Sequence, residues 1–159
     1  FGLLALALAA YLIKTVLWPA PLWPCRETYT GLRWSETEEE TAPCVLTLEG
    51  KRSLSGSFSG TVILEVEGEE PVVREDCDGT GGPGQWAFTR LRRTEAPSGK
   101  ADTSFQAVGH LITGGEEDGF FTFAFFEEDP AYGAVTFYSG PAKTREEAQE
   151  ADRLARERS

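Results

Sequence analysis

Phe120-Phe121-Thr122-Phe123-Ala124-Phe125-Phe126 places five phenylalanines in seven residues. Under the two-residue period of a strand, Phe121, Phe123 and Phe125 share one face, while Phe120, Ala124 and Phe126 share the other. A strand apolar on both faces has to be covered on both. Working outward, Phe58–Glu67 shows the one-sided version: Phe58, Gly60, Val62, Leu64 and Val66 alternate with Ser59, Thr61, Ile63, Glu65 and Glu67. Similar runs are Thr28–Trp34, Cys44–Glu49, Trp86–Arg93, Thr103–Thr113, Gly119–Glu127 and Gly133–Ser139, with Val72 and Val73 as a short further candidate.

Between these runs stand Gly68–Pro71, Asp78–Gly84, Ala96–Asp102, Gly114–Gly119 and Asp129–Gly133, with the Gly, Pro and Asp that turns require. About seven strands with short connections and no helical crossover imply an antiparallel meander, hence a small β-barrel, with a sandwich as the alternative. A barrel interior would take the Phe121, Phe123 and Phe125 face, and a C-terminal helix would cover the other.

That helix is predicted from Thr144 onward. Thr144 as N-cap with Glu147 three residues on is a capping box, and Glu146 and Glu147 suit the first turn. Ala148, Ala151, Leu154 and Ala155 form a thin apolar stripe that should pack weakly, and Asp152 with Arg156 adds an i,i+4 ion pair.

The opposite end of the chain is different in kind. Phe1–Ile13 reads FGLLALALAAYLI and continues past Lys14 as TVLW before Pro19, Pro21 and Pro24. Eighteen residues to Trp18 give roughly 27 Å of helix, close to the hydrocarbon thickness of a bilayer. The reading is a transmembrane anchor, with Lys14, Trp18 and Trp23 at the membrane interface. A cleaved signal peptide, using the small residues Ala7, Ala9 and Ala10, and a buried core helix are the alternatives. The chain then divides into an anchor with a Pro/Trp-rich juxtamembrane segment (1–24), an antiparallel β domain (25–143) and the C-terminal helix (144–159).

The 159 residues carry 15 Lys and Arg against 26 Asp and Glu, a formal charge of −11, so nucleic acid is not expected as a partner. With 10 Phe, 4 Trp and 4 Tyr, the composition is that of a globular chain rather than a disordered one.

Candidate chemistry is sparse. Cys25, Cys44 and Cys77 have no metal-ligand spacing. In an extracytoplasmic space Cys44 and Cys77 would pair as a disulfide, leaving Cys25 spare beside the bilayer; in a reducing compartment all three would be free. Asp76-Cys77-Asp78-Gly79-Thr80-Gly81 opens like a calcium loop, but the place of its closing carboxylate is Ala87. Gly79-x-Gly81-x-x-Gly84 runs into the strand pattern Gln85-Trp86-Ala87-Phe88, with no helix to receive a pyrophosphate. His110, the single histidine, sits in a strand with Gln106 and Val108 on its face, and no nucleophile motif accompanies it. Arg90 and Arg92 share a strand face with Trp86 and Phe88, where a barrel mouth would offer them to an anion.

No catalytic, metal or cofactor set emerges. The function expected is a single-pass, membrane-anchored extracytoplasmic β domain acting as a binding or assembly module. It would serve as an accessory subunit among other membrane proteins, with Phe120 and Phe126 as the candidate interaction face. The alternative is a barrel that binds a small ligand or catalyses a reaction in its interior.

Overall fold

The computed structural model describes residues 2–82, 84–95, 101–114, 119–126 and 136–158. Helix α1 (Gly2–Leu12) continues as a π-helical turn over Ile13–Leu17. Eight strands follow: β1 (Trp23–Ser35), β2 (Ala42–Arg52), β3 (Phe58–Val66), β4 (Val72–Gly82), β5 (Gln85–Glu95), β6 (Ala101–Thr113), β7 (Phe121–Phe125) and β8 (Thr136–Gly140). Helix α2 (Arg145–Arg158) ends the chain. Each strand pairs antiparallel with the next, and β8 returns to β1 through Leu32↔Ser139 to Ser35↔Thr136, so the meander closes into a barrel.

The inner face of the phenylalanine strand is built as its pattern requires, whereas the outer Phe120 and Phe126 flank β7 half-buried and exposed, and the residue α2 covers is Thr122. Phe121 and Phe123 are buried inside the barrel with Leu46, Leu48, Phe58, Val62, Leu64, Phe88 and Leu111. Their rings meet edge-on or tilted: Phe58 with Phe88 at 5.8 Å, Phe88 with Phe123 at 6.3 Å and Phe123 with Tyr138 at 6.3 Å. On the outer face, α2 lies over β8, β7, β1 and β6. Beneath it Thr122 is buried, and its hydroxyl and the Trp34 indole N–H both meet Ser139 Oγ at 2.9 Å.

The capping box forms with one change of partner. Thr144 Oγ1 accepts from the Glu147 N–H at 3.3 Å, while the Glu147 carboxylate accepts from the Lys143 N–H at 2.7 Å. Asp152 and Arg156 pair at 2.9 Å. The expected apolar stripe is seated: Ala148, Ala151 and Ala155 are fully buried, because side chains this small let the helix backbone come close to the sheet.

Three further expectations change. Among the described residues the strands number eight, because the short Val72–Val73 candidate is a full strand: β4 runs on through Gly79 and Gly81, where the glycines and Asp78 suggested a turn. The absence of a side chain at Gly79 serves packing: a Cβ there would lie 2.8 Å from the Phe88 ring. His110 does not share a face with Val108, because a bulge opposite Phe88/Thr89 inserts Val108 and reverses the alternation beyond it. Val108 and Leu111 are buried in the barrel while His110 is half-exposed. Finally, no helix among the described residues is long and apolar enough to cross a membrane; α1 and its π-turn end at Leu17, about 24 Å from their start by ideal rise.

One single strand segment and one strand pair reach past the closed part of the barrel. β1 from Trp23 to Thr30 pairs with β2 but not with β8. At the other end, β5 beyond Arg90 and β6 before Ala107 pair with each other as far as Glu95↔Ala101, while among the described residues β4 and β7 pair with neither there. The result is a two-stranded arm at the end of the barrel opposite α1.

Candidate functional site

The end of the barrel that receives α1 carries the most organised polar structure. Inward-facing positions of β1 and β2 alternate as Cys25, Glu27 and Tyr29 against Arg52, with Trp86 of β5 closing the ring. The Arg52 guanidinium lies 2.7 Å from the Glu27 carboxylate and 4.8 Å from the Trp86 ring centroid. Tyr29 donates its hydroxyl to Glu27 at 2.6 Å and packs on Phe121 with centroids 5.2 Å apart. Burial, followed by the hydrogen bond to Glu27, pushes the Tyr29 hydroxyl well above its ordinary pKa. Arg52 Nε is buried without a hydrogen-bond partner.

Next to this mouth, the β2–β3 connection is knit by the Ser53 hydroxyl, which meets Ser55 Oγ at 2.7 Å and Ser57 Oγ at 2.6 Å. The Trp86 indole donates to Gly56 O at 2.9 Å. The same connection holds the end of the helix: Ser55 N–H donates to Trp18 O at 3.1 Å, and the Ser57 hydroxyl to Pro19 O at 3.5 Å. Leu54 is left exposed at the tip.

Of the expected interface residues, Lys14 lies in the exposed π-turn, Trp18 ends it, and Trp23 opens β1; all three are exposed. Every described residue of α1 is exposed, and its apolar side chains point in all directions.

The Cys44–Cys77 disulfide is corrected, since both thiols are free and buried. The register explains why: Cys44 stands opposite Val66 and Cys77 opposite Gly60 on the same strand β3. Six residues at about 3.3 Å each separate them by roughly 20 Å, far beyond disulfide reach. Both serve as small core side chains, and burial pushes the Cys44 thiol up to about 12. Cys25 is half-buried with its pKa raised, chiefly by burial.

Phe126 is exposed and Phe120 half-buried, with α2 occupying the sheet between them. Arg90 does face inward with Trp86 and Phe88, and its Nε donates to Gln106 at 2.9 Å. The Arg92 side chain lies outside the described set. A polar groove of about 140 Å³ at the far rim is lined by Arg33, Glu38, Glu40, Glu69, Thr136 and Tyr138, with an Arg33–Glu69 ion pair across it. Among the described residues no three Cys, His, Asp or Glu side chains gather as a metal set.

Sequence reasoning missed two features. Leu54 was hidden inside an ordinary turn, and its proximity to Trp18 depends on tertiary contacts. Leu91 and Phe105 stand directly opposite each other on the projecting arm, both exposed, Phe105 at 78%. Their out-of-core positions follow from strand parity in β5 and, in β6, from parity on the near side of the bulge. Comparison with protein-family models, curated proteins and solved structures found no match.

Proposed function

We propose that this chain is a membrane-tethered β-barrel that serves as a binding or assembly module, with α1 in lipid and the β5–β6 arm reaching a protein partner. The observation that carries this reading is the combination of a helix apolar on every side, exposed along its whole length, with a barrel interior filled by Phe, Leu and Val. A helix of that kind finds no stable place in water, and its natural surroundings are hydrocarbon. Its shortness relative to a bilayer is met by local thinning and by flanking residues that reach the interface. A filled interior moves recognition to the outer surface, where Leu91 and Phe105 form an apolar cross-strand pair on an arm whose edges pair with no other strand among the described residues.

Purification of the tagged full chain from native membranes in mild detergent tests the reading. The expected result is retention of the chain in membranes after alkaline carbonate extraction. A stoichiometric partner should also be present with the parent and lost with Phe105→Glu at unchanged melting temperature. Release of the chain by carbonate, or purification alone in both forms, would overturn it.

The alternative, a barrel that binds a small ligand or performs catalysis inside, has one observation in its favour: the unpartnered Arg52 Nε at the mouth. The packed phenylalanines behind that mouth oppose it.

A further inference from the structure

At the end of the barrel that receives α1, four large apolar side chains from three different segments are exposed together: Trp18 at 50%, Leu22 at 52%, Trp23 at 45% and Leu54 at 49%. They belong to one surface, because the β2–β3 connection is hydrogen-bonded through Ser55 and Ser57 to the Trp18 and Pro19 carbonyls just past the helix, and Trp23 stands opposite Arg52 at the start of that connection. That connection is held in turn by the three serine hydroxyls and by the Trp86 indole. Leu54 is therefore presented by a braced tip rather than a loose loop.

Three exposed cations flank the patch on its helix and β1–β2 side. Lys14 lies one turn before Trp18, Lys51 stands opposite Pro24, and Arg26 follows two residues on, opposite Glu49. Among the described residues the other end of the barrel is the more acidic: Glu36, Glu38, Glu39 and Glu40 line the β1–β2 connection, and Glu67, Glu69 and Glu70 the β3–β4 connection, all exposed, while the β6–β7 connection at the α1 end carries Glu116, Glu117 and Asp118, which lie outside the described residues. Indoles and leucines flanked by Lys and Arg match the boundary between acyl chains and phosphates, and an acidic far rim is repelled by the same phosphates.

We infer that this end of the barrel is a seat on the bilayer surface. Trp18, Leu22, Trp23 and Leu54 enter the headgroup region of an anionic phospholipid membrane, and Lys14, Lys51 and Arg26 face its phosphates. The inference rests on the helix being in lipid, as proposed above, and adds that the barrel lies against the membrane with its acidic rim and its arm turned outward. Helix insertion alone requires none of this, since a barrel on a free tether would keep Leu54 in water.

The test uses the full chain carrying Cys25→Ser, with Leu54→Cys labelled by an environment-sensitive fluorophore. A second version carries Glu70→Cys, labelled at the opposite rim. Both are reconstituted into zwitterionic vesicles with and without phosphatidylglycerol, containing lipid spin-labelled either near the headgroup or at the acyl terminus.

The expected result is co-flotation with the vesicles and roughly twofold quenching of the label at position 54 by the shallow spin label, with little at position 70. Lys51→Glu with Arg26→Glu should leave flotation intact and reduce shallow quenching in anionic vesicles to its zwitterionic level. Flotation with equal, weak quenching at positions 54 and 70 would overturn the seat while leaving the tether standing. Equal quenching with and without phosphatidylglycerol would overturn the anionic headgroup. Failure to float would overturn the tether, and the seat with it.

Discussion

Phe123→Ala should be among the most damaging single changes in the barrel. The ring is fully buried and touches Phe88, Phe125 and Tyr138 at centroid distances of 6.2–6.3 Å. A buried phenylalanine removes roughly 150–250 Å² from water, which at about 25 cal/mol per Å² is about 4–6 kcal/mol before subtracting what an alanine retains. The cavity left behind adds to the cost only where neighbours cannot collapse, and here they are strands of a closed barrel.

The expected loss is about 3–5 kcal/mol, read as a shift of the urea midpoint at constant slope for the full chain in detergent. Gly109 offers an independent check. A Cβ there would stand 2.5 Å from Phe123 Cζ and 2.7 Å from Ala124 O, so Gly109→Ala should cost about 1–3 kcal/mol, and part of that conflict should disappear when Phe123 is already alanine. Phe126→Ala, at an exposed site, should cost under about 1 kcal/mol. A Phe123→Ala variant as stable as the parent, beside a badly destabilised Phe126→Ala, would refute the assignment of the two faces.

Three other outcomes are expected. Maleimide labelling of the native chain should reach Cys25 first, with Cys44 and Cys77 reacting only on denaturation; a Cys44–Cys77 disulfide peptide in a non-reducing map would contradict the register. Tyr29, Cys44 and Cys77 all hold their protons to higher pH in the folded chain than in the unfolded one, so their stabilisation is complete below about pH 9 and lost as the pH rises towards 12. Denaturant melts across that window should fall for the parent and fall less for Tyr29→Phe; parallel curves would exclude a contribution from Tyr29. Ala151→Leu should cost about 1–3 kcal/mol by forcing α2 off the sheet, and an unchanged melt would mean that the helix is not seated there.

The phenylalanine run, the period-two segments and the Thr144–Glu147 box could be read without a structure because each concerns neighbours within a few residues. Strand parity alone divides Phe121 and Phe123 from Thr122, and a two-sided apolar strand admits few architectures besides a covered barrel. The all-round apolar helix was equally plain, because no arrangement of its side chains could produce a polar face. What the tertiary structure decided are relations between distant segments.

Cys44 and Cys77 looked like partners along the chain, yet the β3 register sets them roughly 20 Å apart. One inserted residue, Val108, turns His110 away from the barrel, and periodicity cannot see a bulge before the partner strand is known. Gly79 resembled a turn residue because the ring it accommodates, Phe88, comes from the next strand. Leu54 became part of a surface with Trp18 only through hydrogen bonds across the β2–β3 connection. Local alternation follows from covalent geometry and is written in the sequence; register, bulges and rim composition are settled by the sum of non-local contacts, which exists only once the barrel has closed.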